Sequence, residues 1–583
     1  MTTIDEELRA RAEAWAASDP DPETAAQLRA AVEQADHGNA AAAQELADSF
    51  HGTLQFGTAG LRAPLGPGPN RMNRVVVRRA AAGVAAFLLG RLSGAPTGDR
   101  PRAVVGFDAR KNSQAFALDT AAVFTAAGVE TFLMPAPLPT PVLAYALRVL
   151  ECDGAVMVTA SHNPPQDNGY KVYLGGRAVD DDGRGAQIVA PIDAEIAGLI
   201  DAAGPVGDIP LAASGWNLLS PNLAADYRAA VVRLARADLF PARDLKIVLT
   251  PLHGVGGTTA VGVLREAGFA DVSLVAEQAV PDPGFPTVAF PNPEEPGALD
   301  LALAAAREAG ADVVIANDPD ADRCAVAVPQ PESGEWRMLS GDEVGALLGA
   351  HVVRRLGLSP AEGAGDAVNE DCVFANSIVS SRLLGRIAAA AGIRHRETLT
   401  GFKWISRVPD LAYGYEEALG YCVAPELVKD KDGISAALLV AELAADAKAQ
   451  GQSLFDLLDA LHTLHGVHLT DQLNVRVADL GLLEAMMLRL RENPPSSFAG
   501  SPVETAVDLS EGSDELPPTE GLLWVTRDDT RVIIRPSGTE PKLKCYLEVI
   551  RPVDSSAELA DARQAARQTM DAALDDVREA LGL

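Results

Sequence analysis

The sequence predicts an α/β protein built from four domains, and three observations carry that expectation. At 583 residues the chain is too long for a single hydrophobic core. From about residue 100 onward, short β-rich apolar runs alternate with Ala/Leu-rich helical stretches, the pattern of βαβ units and of parallel or mixed sheets. Four of the runs open directly into polar or glycine-rich loops: VMVTASHNPP, IVLTPLHGVGG, VVIANDPDADR and VIIRPSGTEPK. In open α/β sheets, ligands bind at such carboxyl ends of strands.

Taken in order, residues 1–50 read as Ala-rich amphipathic helices punctuated at Asp19–Pro22. Strand candidates follow at 103–107 (AVVGF), 154–158 (GAVMV), 246–250 (KIVLT), 312–316 (DVVIA) and 531–535 (RVIIR). Boundaries are expected in the Gly/Pro/Ser stretch 201–222, in PQPESGEW at 329–336 and within 451–470. This gives an N-terminal helical segment, 1–50, and domains over 51–208, 209–330, 331–458 and 459–583. The tract 492–520, with ENPPSS and SEGSDELPP, reads as a loop-rich insertion in the last of them.

Composition narrows the function. Against 49 basic residues stand 80 acidic ones, a net charge of −31 with a pI near 4.7, which argues against nucleic acid as a partner. The start, MTTIDEELRARAEAW, lacks the apolar stretch of a signal peptide, and no run of about 18 uncharged apolar residues occurs. A soluble, unexported, cytoplasmic protein without a membrane partner is expected. Cys152, Cys324, Cys372, Cys422 and Cys545 are odd in number, far apart and form no C-x-x-C pair, so they read as reduced thiols. Only nine of the basic residues are lysines, and six of these fall in short motif-like strings: Lys171, Lys403, Lys429, Lys431, Lys542 and Lys544. A partly desolvated lysine can give up its proton and arginine cannot, so these lysines are expected to mark chemistry.

The loops supply the candidates. TASHNPPQDNGYKVY, residues 159–173, follows the GAVMV strand and sets Ser161 beside His162 in a loop stiffened by Pro164 and Pro165. Ser161 is expected to be presented rather than buried; the alternative is a Ser/Asn-rich turn that satisfies its own backbone. NDPDADR places Asp318, Asp320 and Asp322 at alternate positions. Carboxylates so close repel unless a hard cation sits among them, and oxygen-only ligands suit Mg²⁺ or Ca²⁺; the alternative is a solvated acidic turn. An EF-hand is excluded, because Arg323 and Pro329 stand where that loop needs glycine and glutamate. In RPSGTEPK, Arg535, Ser537, Gly538 and Thr539 can form a phosphate nest or an ordinary turn. GYEEALGY pairs Glu416 with Glu417, either to accept from vicinal sugar hydroxyls or to start a solvated helix. FGTAGLRAPLG brings Arg62 into a glycine-rich segment, and His462, His465 and His468 of HTLHGVH suit a helix end better than a metal cluster.

Together, TASHNP, DPDADR, the EEALG loop and RPSGTEPK, in this order, resemble the α-D-phosphohexomutase superfamily over roughly residues 50–550. FGTAGLRA, QDNGYKVY, TLTGFKWI and GYEEALGYCVAPELVKDKDG are most similar to the branch holding phosphopentomutase, glucose-1,6-bisphosphate synthase and several bacterial phosphoglucomutases and phosphomannomutases. The resemblance implies three mixed α/β domains and a smaller α+β fourth around a central cleft. It implies Ser161 as a phosphoserine, and Asp318, Asp320 and Asp322 as Mg²⁺ ligands, with the Ser161 phosphoryl oxygen completing the shell. Arg62, His162 and Arg323 would line the same place, Lys171 would shuttle the proton, and Lys431 is a second candidate for that role. Thr400, Gly401, Lys403 and Glu416 would meet the sugar, while Arg535, Ser537, Gly538 and Thr539 would grip the phosphate that is not reacting.

The implied activity is transfer of a phosphoryl group between O1 and O6 of a hexose, glucose before mannose, with glucose 1,6-bisphosphate or the matching sugar bisphosphate as activator. Small-molecule sugar phosphates would be the partners of a monomer or weak homodimer. One departure stands out: Ala418 occupies a position where many relatives carry serine, which leaves the sugar open, and a phosphopentomutase is the alternative. From another class, VVIANDPDAD also resembles the opening of aspartate-nucleophile phosphatases, where Asp318 would be the nucleophile. A non-catalytic sugar-phosphate sensor has no residue in its favour.

Overall fold

The Ala-rich N-terminus forms three helices, Glu6–Ser18, Pro22–Asp36 and Ala40–Ser49, in a computed structural model that describes residues 4–56, 60–94, 99–179, 182–358, 369–477, 480–514, 516–537 and 542–583. Each helix begins where a side chain can accept a free amide: Asp5 from Leu8, Asp21 from Glu23, and Asn39 from Ala41 and Ala42. Such caps contribute about 1 kcal/mol apiece. The helices close on Leu28, Val32, Leu46 and Phe50.

The chain packs as two compact units, the first comprising Met1–Ala235, Asp244–Val326 and Ala424–Leu438. Its larger sheet holds β1 (Leu61–Pro64), β2 (Arg102–Phe107), β3 (Glu130–Leu133), β4 (Gly154–Val158), β5 (Asp167–Leu174) and β6 (Asn217–Leu218), in the order β1-β5-β4-β2-β3-β6. Strands β4, β2, β3 and β6 run parallel, and β5 and β1 are antiparallel additions. Every residue of β4 is buried, which is why GAVMV is apolar without alternation. Helices Ser113–Ala127 and Thr140–Val149 pack against β2 and β4. A second parallel group in this unit places β7 (Ile247–Thr250) between β8 (Val272–Leu274) and β9 (Val313–Ala316), with Leu249 opposite Ile315. The strands expected from sequence at 103–107, 154–158, 246–250 and 312–316 are these β2, β4, β7 and β9, within a residue at either end.

The second unit comprises Arg236–Arg243, Ala327–Val423 and Leu439–Leu583. Strand β10 (Ala325–Pro329), whose first two residues belong to the first unit, pairs antiparallel with β11 (Trp336–Met338), with Val328 opposite Arg337. A mixed sheet orders β12 (Asn369–Ser377), β13 (Ile393–Thr398), β14 (Leu411–Glu416) and β15 (Gly420–Cys422) as β13-β12-β14-β15. The C-terminal sheet is antiparallel throughout: β16 (Val467–Arg476), β17 (Ser497–Phe498), β18 (Ser501–Asp508), β19 (Leu522–Thr526), β20 (Arg531–Pro536) and β21 (Lys542–Arg551), ordered β16-β21-β20-β19-β18-β17.

The tract 492–520, expected to be loop-rich, instead supplies β17 and β18. The physical reason is exposure. Most of β18 faces solvent, so backbone pairing with β19 holds it and no apolar alternation marks it. Residues 451–470 contain a helix, Leu454–His465, which Gly466 ends before β16. His462 and His465 therefore lie on that helix and His468 on a strand. All five cysteines are buried, and none is joined in a disulfide. Among the described residues no helix is long and apolar enough to cross a membrane.

Candidate active site

At the carboxyl end of β4 the chain enters the left-handed region at Ser161 (φ 54°). The serine is 1 % exposed, so it is buried rather than presented as the sequence suggests. The loop folds back on itself. Thr159 Oγ1 accepts the Ser161 amide at 2.9 Å, and the buried Arg110 guanidinium donates to the carbonyls of Ser161 (2.7 Å), Asn163 (2.6 Å), Pro164 (2.8 Å) and Asp167 (3.2 Å). Ser161 Oγ in turn donates to Asp318 Oδ2 at 2.8 Å and lies 3.2 Å from His162 Nδ1. Arg110 thus shapes the serine loop, a role the sequence does not reveal, because its four carbonyl partners lie more than 50 residues away. Arg62, on β1, reaches the same loop through Asn163 Oδ1 at 3.5 Å.

Strand β9 delivers the second element. Asp318, Asp320 and Asp322 are wholly buried, and one carboxylate oxygen from each lies within 4.8 Å of the others. Backbone seals the loop from two sides. A Cβ on Gly254 would stand 2.3 Å from Pro319 Cα, and one on Gly433 2.1 Å from the Arg323 carbonyl oxygen, so both approaches require glycine. Asn317 Nδ2 donates to the carbonyls of Arg323 (2.7 Å) and Gly433 (3.3 Å). From β5, Lys171 Nζ lies 2.8 Å from both Asp320 Oδ2 and Asp322 Oδ2, and Lys431 Nζ is 3.3 Å from Asp322 Oδ2. Arg323 Nε sits 3.8 Å from Asp318 Oδ2 and 3.9 Å from Asp322 Oδ1.

Burial pushes all three carboxyls up, and the nearby cations reverse that push for two of them. For Asp318, burial and the Asp320 and Asp322 charges prevail, and its affinity for a proton rises well above the usual range. For Asp322, Lys171, Lys431 and Arg323 outweigh burial and hold it well below that range; for Asp320, Lys171 and a Thr140 hydrogen bond do the same more mildly. Burial acts against the Lys171 ammonium, yet Asp320 and Asp322 keep it charged beyond the ordinary lysine value. Asp320 Oδ1 and Asp322 Oδ1 are buried and accept no hydrogen bond. Native structures rarely leave such atoms unmatched. An all-oxygen set with two buried oxygens free fits a hard divalent cation, and among the described residues no other acidic, histidine or cysteine cluster does.

The second unit carries the other predicted residues. Glu416 ends β14 and is 9 % exposed. Its neighbour Glu417 is committed to the fold: Oε2 accepts from Ser377 Oγ (3.0 Å) and Ser380 Oγ (3.1 Å), and its amide donates to Ser380 Oγ. Thr400 and Gly401 form the turn after β13, and Lys403 lies on the short helix Phe402–Ile405. Arg535 and Ser537 stand at the end of β20, where the Ser537 amide donates to the Lys542 carbonyl at 2.7 Å. Gly538 and Thr539 lie outside the described residues. Arg62, Ser161, His162, Lys171, the three aspartates, Arg323 and Lys431 all belong to the first unit, and Thr400, Gly401, Lys403, Glu416, Arg535 and Ser537 to the second.

Comparison with known proteins gives the family. The sequence matches the phosphoglucomutase/phosphomannomutase alpha/beta/alpha domains I, II and III over residues 53–198, 225–333 and 340–464, and the C-terminal domain over 473–566. The chain belongs to the phosphoglucomutase/phosphomannomutase family. It is 42 % identical over 503 residues to a probable phosphomannomutase of Haemophilus influenzae, covering 86 % of this chain and 98 % of that one. It is 35 % identical to phosphopentomutase of Mus musculus (88 % and 86 % covered) and 32 % identical to phosphoglucomutase of Staphylococcus haemolyticus (86 % and 91 %). The fold matches that of a phosphoglucomutase/phosphomannomutase family protein from Burkholderia thailandensis, with a TM-score of 0.62 at 21 % identity over 89 % of this chain and 97 % of that one. Like these relatives, the chain is an enzyme, a phosphosugar mutase of the intramolecular phosphotransferase type.

Proposed function

We propose that this family member moves a phosphoryl group between O1 and O6 of a hexose through a phosphorylated Ser161 and a sugar bisphosphate. The observation that carries this reading is Ser161 Oγ at 2.8 Å from Asp318 Oδ2, on the edge of a buried carboxylate trio with two unmatched oxygens. Phosphorylated Ser161 gives its phosphoryl group to O6 of a hexose 1-phosphate: the bond from phosphorus to the serine oxygen breaks, the bond to O6 forms, and the O6 proton passes to a base. The bisphosphate then returns its O1 phosphoryl group to Ser161: the O1–phosphorus bond breaks, the serine oxygen–phosphorus bond forms, O1 takes the proton back from the base, and hexose 6-phosphate leaves, so glucose 1,6-bisphosphate can also prime an unphosphorylated enzyme. Asp318, Asp320 and Asp322 would hold Mg²⁺, which when bound neutralises charge on the transferring phosphoryl oxygens. Arg62 and Arg323 add positive charge near the serine, and His162 lies 3.2 Å from its hydroxyl. By resemblance, Lys171 and Lys431 are the candidates to carry the proton, which either would accept only as the neutral amine, once released from the aspartates that now pair with it. By resemblance, Thr400, Gly401, Lys403 and Glu416 read the sugar, and Arg535, Ser537, Gly538 and Thr539 hold the distal phosphate.

Glucose 1-phosphate is the favoured substrate, then mannose 1-phosphate, in keeping with the names of the two bacterial relatives. The likeness to mouse phosphopentomutase, together with Ala418 two residues beyond Glu416, favours ribose or deoxyribose 1-phosphate as a second reading. The test compares kcat/KM for the four sugar 1-phosphates on one preparation, with Mg²⁺ and the matching bisphosphate. A pentose ahead of glucose by more than about tenfold, roughly 1.4 kcal/mol of transition-state preference, overturns the hexose assignment. Intact mass after hydroxylamine treatment tests the nucleophile, because a phosphoserine survives and an acyl phosphate on Asp318 does not.

A further inference from the structure

Thr140 is the first residue of helix Thr140–Val149 and is wholly buried, 180 residues from Asp320 in sequence. Its side-chain Oγ1 donates to Asp320 Oδ2 at 2.6 Å, and its amide donates to the Asp320 carbonyl at 2.9 Å. The first amides of a helix have no partner within it. Here Pro141 offers no N–H and Val142 bonds the Pro139 carbonyl at 3.0 Å, so the helix start directs the Thr140 amide to this loop. Asp320 Oδ2 already accepts from Lys171 Nζ at 2.8 Å. Two donors therefore fill one oxygen, while Oδ1 is buried and accepts none. A carboxylate's oxygens are interchangeable by rotation, so what Thr140 fixes is the tilt of the carboxylate plane and the height of the loop beneath it. The β-branched side chain has few rotamers and, away from water, no substitute partner.

We infer that Thr140 is a positioning residue for the metal site, holding Asp320 by both hydroxyl and amide so that Oδ1 is left facing a divalent cation. The inference rests on reading the three aspartates as that site. It is tested with Mn²⁺ alone on the full chain, following free Mn²⁺ by electron paramagnetic resonance in wild type, Thr140→Val and Thr140→Ser. Thr140→Val should raise the Mn²⁺ Kd about tenfold, leave the melting temperature within a few degrees, and leave KM for the sugar phosphate unchanged at saturating Mg²⁺. Thr140→Ser, which keeps the donor, should stay within about threefold of wild type. In an Asp320→Asn background, Thr140→Val should cost little more. A folded Thr140→Val protein that binds Mn²⁺ within twofold of wild type overturns the role of Thr140 alone. So does Thr140→Ser as damaging as Thr140→Val, which marks a packing role. If Thr140→Val does not fold, Thr140→Ala against Thr140→Ser carries the same comparison. A wild-type chain that binds no Mn²⁺ removes the metal reading itself, and this inference with it.

Discussion

Each unit of the molecule buries a carboxylate among cations, and the two are finished differently. In the second unit, Glu548 Oε1 accepts from Ser381 Oγ and the Arg382 amide, both at 2.8 Å, and contacts His468 Nδ1 at 3.2 Å. Its Oε2 meets Arg382 Nε at 2.6 Å and lies 3.3 Å from Arg531. Burial alone would raise its proton affinity, but Arg531, His468 and Arg382 hold it well below the usual carboxylate range. Both oxygens are spent, and the node is closed. In the first unit Asp320 and Asp322 have comparable cations beside them, yet each keeps one buried oxygen unmatched. Burial and ion pairing therefore do not separate Glu548 from Asp320 and Asp322. The unmatched oxygens of those two aspartates do.

That contrast can be broken in four places, taken from the largest expected effect. Ser161→Ala should cut turnover by about 10⁴-fold or more, some 5.5 kcal/mol in the barrier, with the melting temperature nearly unmoved, since only a hydroxyl is lost. Steady-state rates and calorimetry on one preparation check this, and activity within tenfold of wild type would remove Ser161 as the nucleophile. Glu548→Gln should do the reverse: it leaves the buried Arg531 and the part-buried Arg382 with only Glu397 and Asp529 as counter-charges, costs about 3 kcal/mol in urea denaturation, and leaves metal affinity alone. Asp320→Asn should lower activity about 10²-fold and regain part of it at high Mg²⁺. A Mg²⁺ dependence identical to that of wild type would place the ion elsewhere.

The smallest effect concerns Asp342, which accepts from Tyr415 Oη (2.9 Å) and the Ser381 amide (2.7 Å), and whose carboxyl burial pushes up to about 7. A folded-state value above the unfolded one means that the native state holds the proton more tightly. Stability should therefore fall as pH rises from about 4 to about 7 and stay low beyond. Asp342→Asn, neutral throughout, should gain on wild type by about 1 kcal/mol or more at pH 8 relative to pH 5.5. Equal differences at both pH values would show that Asp342 does not ionise in this range.

Much of this was legible in the sequence because it was written locally. GAVMV and VVIA are runs of buried strand, and three aspartates at alternate positions cannot be an accident of a helix face. What stayed hidden was written at long range. Arg110 and Thr140 are ordinary residues until the fold brings them to carbonyls and a carboxylate far along the chain. The burial of Ser161 likewise depends on Asp318, and β18 escapes notice because solvent, not a core, meets most of its side chains.

The segment Ala424–Leu438 lies within the stretch matched by domain III but packs with the first unit. There Asp430 accepts from Tyr173 Oη and Gln187, Asp432 accepts from Tyr227 Oη, and Lys429 bonds the Asp182 carbonyl. Tyr173, Tyr227 and Asn317 are wholly buried. During synthesis, a nascent chain that has passed Val326 therefore owns nearly all of its first unit but cannot seal it. Two tyrosine hydroxyls wait for their acceptors, and the Asn317 amide for its second, until after Ala327–Val423 has emerged from the ribosome. A chain cut between those points would expose an unfinished acid centre, so proteolytic sensitivity around Asp318 should persist until residue 438 is free.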